Sequence, residues 1–191
     1  MYYLNSKLEL KKVGIFMKSY KILYQEDQHK NFSDYFKKEN IDYIEGKING
    51  SFAIQYNPQK LNSLLNEKEF FAKWIEYGIK QAIMTDQKFA FLILNLERIG
   101  ISFLDCETND GDNREIICDE DDRVSRELLL DLVSDEYKYI LSATFFSKTH
   151  RNKIKLTQKG ILHFEKSGEE IKTLIDIVNV GNEALNNEKC I

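Results

Sequence analysis

Two dipeptides set the first limit on the fold. Asn49-Gly50 lies inside IDYIEGKINGSFAIQY, and Asp110-Gly111 follows IGISFLDC. Both residues of such a pair tolerate positive φ, so the chain reverses sharply and the strand-like runs beside it pair antiparallel. Further short runs with strand character are KLELKKVGIF, SYKILYQ, KYILSATFF and NKIKL, and EIIC reads as the return strand after Asp110-Gly111. FAFLILNL, residues 89–96, reads as a central strand, being short and rich in β-favouring residues.

Helical stretches fall between these runs. FSDYFKKEN places Phe32, Tyr35 and Phe36 on one side, and Asn57-Pro58 supplies a cap and a first-turn proline for a helix through Leu65. The longest predicted helix runs from Glu67 to about Met84. Asn66 caps it, Glu69 completes a capping box, and Phe70, Phe71, Trp74, Ile75, Gly78, Ile79, Ala82 and Ile83 form its broad apolar face. A second helix begins near Asp122 or Arg123, with Val124, Leu128, Leu129, Leu132 and Val133 inward. Ser167 and Glu170 open a last one, buried along Ile171, Leu174, Ile175 and Val178.

Strand pairs near their turns, with helices between, predict an α+β fold. The expectation is a mixed, mainly antiparallel sheet packed by a long central amphipathic helix, a second helix near 123–134 and a C-terminal helix. No Pro/Gly/Ser linker divides the chain, so 1–191 reads as one domain, with residues 1–16 an extension if Met17 is a second start. At 42% hydrophobic residues, including 12 Phe and 10 Tyr, the chain can fill a core. No apolar run approaches the roughly 20 residues needed to span a bilayer, and the start lacks the pattern of a signal peptide. Three cysteines without a CxxC fit a reducing cytoplasm. Cys106 and Cys118 flank a turn but read as ordinary thiols.

The charge is segregated. Residues 105–136 hold thirteen acids and three bases, and residues 137–168 hold seven bases and one acid. The acidic block DCETNDGDNREIICDEDD contains Asp105, Glu107, Asp110, Asp112, Glu115, Asp119, Glu120, Asp121 and Asp122 against Arg114 alone. Aligning Gly111 with the glycine of an EF-hand loop puts Cys106 and Ile117 at the first and last ligand positions, where calcium needs oxygen. Asp105, Glu107, Asp110 and Asp112 remain candidates for a divalent metal, although carboxylates in a polar turn are usually solvated. Glu45-Gly46-Lys47 with Asp42, and Glu136-Tyr137-Lys138 with Asp131 or Asp135, match the acid-x-Lys spacing of metal-dependent nucleases. Such triplets arise readily by chance in a chain 30% charged.

His29, His150 and His163 form no zinc spacing. No nucleophile elbow, phosphate-binding glycine loop or dinucleotide fingerprint occurs, and Cys190 has no base beside it. No cofactor is therefore expected. Lys148, Arg151, Lys153, Lys155 and Lys159 make the best nucleic-acid candidate, since lysines on a hairpin can meet phosphates without sequence preference. Leu156, Thr157 and Gly160 in KIKLTQKGILHF match a Leu-Thr-x-x-Gly pattern. Over this dozen residues the chain resembles winged-helix regulators, which implies a strand-to-helix junction at that point.

Three functional classes follow. The first is a nonenzymatic interaction protein, an inhibitor or immunity-type protein whose acidic face masks a basic toxin or nuclease. The second is a nucleic-acid-binding regulator using residues 148–166. The third is a small metal-dependent nuclease. The abundance of acid and the absence of a coherent catalytic motif place the first ahead.

Overall fold

The computed structural model describes residues 17–26, 32–112, 117–119 and 123–181. The chain runs β1 (Lys18–Gln25), α1 (Ser33–Lys38), β2 (Tyr43–Glu45), β3 (Ser51–Gln55), α2 (Pro58–Asn66), α3 (Lys68–Glu76), β4 (Ile79–Gln81), α4 (Asp86–Asn95) and a 3-10 turn (Leu96–Ile99). It continues through β5 (Ile101–Thr108), β6 (Gly111–Asp112), α5 (Arg126–Ser134), β7 (Ile140–Ser147), β8 (Asn152–Thr157), β9 (Ile161–Phe164) and α6 (Glu169–Val180). This is a mixed α+β fold on one open sheet, ordered β2-β3-β1-β9-β8-β7-β5-β6, with β4 also paired to β1. Every ladder between these strands is antiparallel.

Side chains alternate across the sheet. One face presents Ile22, Ala53, Ala143, Phe145, Ile154, Leu156, Leu162 and Phe164 to the buried stripes of α4, α5 and α6. The other face is used unevenly. At the β3-β1-β4 end, Leu23, Phe52 and Ile54 pack with Phe32, Phe36, Leu61, Phe70 and Trp74 of the α1–α3 region. Phe32 sits at the centre of this second core, edge-on to Phe36 and Trp74 with centroids 4.7 and 6.3 Å away. Across β9, β8, β7 and β5 the same face carries His163, Lys153, Lys155, Thr144 and Glu107, and no described helix covers it.

Several expectations need correction. The helix predicted over Glu67–Met84 ends at Glu76, because Gly78 takes φ +61 and the chain turns into β4. Asn66 closes α2 instead of capping α3, and Glu67 makes no side-chain cap. FAFLILNL is not a strand. Thr85 accepts from the Lys88 N–H, and α4 buries Phe89, Ala90, Leu92 and Ile93. The helix near 123 starts at Arg126 behind the Ser125 cap, leaving Val124 in an isolated bridge with Cys118 and Leu128 exposed. Of EIIC, the described Ile117 and Cys118 are not part of β6, and Cys106 and Cys118 are not joined by a disulfide. Gly168, not Ser167, precedes α6, with no side-chain cap. Asn49-Gly50 does reverse the chain, but within a longer loop in which only Gly50 has positive φ.

Residues 153–164 form β8, a turn at Gly160 and β9. The strand-to-helix junction implied by the winged-helix resemblance is therefore absent, because a second strand follows the glycine. The strand expected in KLELKKVGIF lies outside the described residues.

Candidate functional site

The acidic block and the basic segment meet inside the sheet. β7 pairs with β5 on one side and β8 on the other, so Asp105, Thr144 and Lys155 align in one row, and Glu107, Ser142 and Thr157 in the next. Lys155 Nζ lies 3.0 Å from Glu107 Oε2, and the Ser142 hydroxyl donates to the same oxygen at 3.1 Å. Lys155, then Ser142, hold the Glu107 carboxyl below the usual carboxylate range. Beyond Lys155, His163 hydrogen-bonds Ser19 through Nδ1 at 2.8 Å. Burial, then Lys155, push its pKa down.

The other described acids are tied locally. Asp105 accepts from the Cys106 N–H at 2.8 Å, and Asp119 accepts from the Arg123 N–H at 2.9 Å. Asp110 lies 3.8 Å from Lys138 Nζ. Asp112 is described as backbone only, and Glu115, Glu120, Asp121 and Asp122 lie outside the described residues. The basic candidates are dispersed as well. Lys148 and Arg151 flank the β7–β8 turn, Lys153 and Lys155 stand on the open sheet face, and Lys159 sits in the β8–β9 turn.

What the sheet does assemble is a short presented segment between α5 and β7. Asn109, at the β5–β6 turn, donates its side-chain amide to the Tyr137 carbonyl at 2.9 Å and accepts the Tyr139 N–H at 3.0 Å. Its own N–H donates to the Tyr139 carbonyl at 3.1 Å. Asp135 accepts the Tyr137 N–H at 2.8 Å, and Asp86 at the start of α4 accepts the Ile140 N–H at 2.7 Å. The backbone is thus held at 137, 139 and 140 while the rings point outward. Tyr137 is 84% exposed and Tyr139 42%. Asp110, Asp135 and Glu136 adjoin them in sequence or through these bonds, and α5 leaves Glu127, Leu130 and Asp131 exposed. The sequence singles out Tyr137 only as the middle of an acid-x-Lys triplet. The signal for its presentation, Asn109 acting 28 residues away, depends on the register of β5 with β7.

Of the nuclease-like triplets, Asp42 accepts the Tyr20 hydroxyl at 2.8 Å. Among the described residues, no group of three or more His, Cys, Asp or Glu side chains is placed to hold a metal ion, and no helix is long and apolar enough to cross a membrane.

Compared with protein-family models, with curated proteins and with solved structures, the chain matches none.

Proposed function

We propose that this is a nonenzymatic binding protein that docks a basic protein partner on the acidic surface around Tyr137. The observation that carries the reading is the pinned backbone of 137–140, which offers an 84% exposed tyrosine beside Asp110, Asp135 and Glu136. Tyrosine offers large contact area with few torsions to freeze, and aromatic anchors dominate interface energies. Fixing the backbone beforehand lowers the ordering cost of association. The surrounding carboxylates steer a cationic surface toward it. An inhibitor or immunity-type role against a basic toxin or nuclease is the concrete form of this proposal. Two findings bound it: Glu107 is paired with Lys155, and Asp119 closes its own turn. Asp110 likewise lies 3.8 Å from Lys138 Nζ, so the docking charge is assigned to Asp135 and Glu136 at the α5–β7 junction.

The test is affinity isolation of native partners at low and moderate salt, followed by titration of the purified partner. Tyr137→Ala is expected to weaken binding by about 2 kcal/mol, roughly thirtyfold. Glu136→Lys, at an exposed position beside Tyr137, is expected chiefly to slow association and reduce its salt dependence. A basic partner bound unchanged by both variants, or recovery of nucleic acid alone, overturns the reading.

A further inference from the structure

The helix-covered and open halves of the second sheet face meet at a groove with a buried amine in its lining. Lys21 projects from β1, in the middle of the sheet, and is only 4% exposed. Its ammonium donates to the Lys159 carbonyl and, at 3.4 Å, to the Ala82 carbonyl. Gly160 permits this arrangement. It adopts φ +65, and a Cβ there would stand 2.3 Å from the Ala82 carbonyl oxygen. The β8–β9 turn is thereby seated against the chain entering α4, and Lys159 is delivered to the groove.

The groove has a volume of about 310 Å³, at the small end of ligand sites. Leu61 and Leu65 of α2 line it together with Ile83 and Ile161, and Ile83 is 62% exposed. Among the described residues no carboxylate pairs with Lys21 or Lys159. Buried charge ordinarily acquires a partner or is suppressed. Here burial, and then the like charge of Lys159, lower Lys21 to about 8. Two cations beside an apolar wall, with no carboxylate among the described residues paired to either, have the form of a receptor for an amphipathic anion.

We propose that this groove binds a small organic anion, its head group at Lys21 and Lys159 and its apolar body along Leu61, Leu65, Ile83 and Ile161. This site is separate from the Tyr137 surface, and its test does not involve the partner protein.

The probe is 8-anilinonaphthalene-1-sulfonate, with uncharged N-phenyl-1-naphthylamine as its apolar control. The expected result is one saturable sulfonate site with methyl-resonance shifts centred on Ile83 and Ile161. Lys159→Gln, an exposed substitution, weakens that affinity about tenfold and leaves the uncharged dye unaffected. Lys21→Met, if folded, does the same. Sulfonate affinity unchanged by Lys159→Gln overturns the proposal, as do equal losses for both dyes or shifts confined to another surface.

Discussion

Lys155 on β8 and Glu107 on β5 meet at 3.0 Å across the intervening strand β7. A segment of strong negative charge and one of strong positive charge thus contribute one residue each to a single contact. Both side chains are about two-fifths exposed, so solvent screens the pair and limits it to about 0.5 kcal/mol. The Glu107 carboxyl titrates below its ordinary value. Its contribution is present above the unfolded-state pKa and is lost as pH falls through the lower folded-state value. Lys155→Met is expected to return the Glu107 titration, followed by side-chain NMR, toward the ordinary carboxylate range. A Glu107 titration unmoved by that substitution refutes the contact.

Asp176 fixes a loop far away in sequence. It is buried in α6 and accepts the N–H groups of Lys47 at 2.7 Å and Ile48 at 3.2 Å. A Cβ on Gly46 would lie 2.1 Å from Asp176 Oδ1. Gly46→Ala therefore displaces the carboxylate and is expected to cost about 2–3 kcal/mol in denaturant unfolding. In an Asp176→Ala background the same substitution is expected to cost less than half as much, because the clash and the two bonds are already gone. Additive losses contradict this coupling.

Lys21 gives the stability curve a slope at alkaline pH. Its pKa is about 8 in the folded chain against 10.5 when free, so between these values the unfolded state binds more protons. Stability from this group therefore rises with pH across that window. Lys159 is the charged group facing it, and Tyr56 is the other titratable group lining the groove. Comparing pH 8 with pH 10, the wild type is expected to gain on the order of 1–2 kcal/mol relative to Lys21→Met. Parallel curves for the two proteins count against a protonated, buried Lys21.

Phe32 and Tyr137 are expected to behave oppositely. Phe32 is fully buried among four aromatic rings, and Phe32→Ala is expected to cost about 3–5 kcal/mol. Tyr137→Ala removes an exposed ring and is expected to change stability by less than about 0.5 kcal/mol. Thermal unfolding of the two variants measures both, and the second result makes any binding loss at Tyr137 interpretable.

The antiparallel α+β character was legible because it rests on local signals: the turn dipeptides, the strand-like runs SYKILYQ, KYILSATFF and NKIKL, and the Asn57 cap, which recur in the structure. FAFLILNL was misread because consecutive apolar residues show neither a helical nor a strand period. The informative residues were Thr85 and Asp86, just upstream. The long helix through Met84 failed at Gly78, where positive φ ends a run whose apolar spacing continues. Neither the Lys155–Glu107 contact nor the Asn109 clamp was readable. Each joins residues whose proximity follows only from the order β8-β7-β5, and strand order leaves no mark in local sequence. Lys21 did leave one, a lone cation inside SYKILYQ.

The position of β1 has a consequence for biosynthesis. This early strand is completed by β9, with Lys18–Lys21 pairing residues 161–164. During synthesis the Lys18–Lys21 stretch of that edge therefore waits unpaired until residues 161–164 are made, whereas β4 can pair Leu23–Gln25 beside it much sooner. Contacts that distant in sequence close slowly, and an open edge invites pairing with other chains. The nascent protein is thus open to misassembly at a strand that ends up in the interior of the sheet.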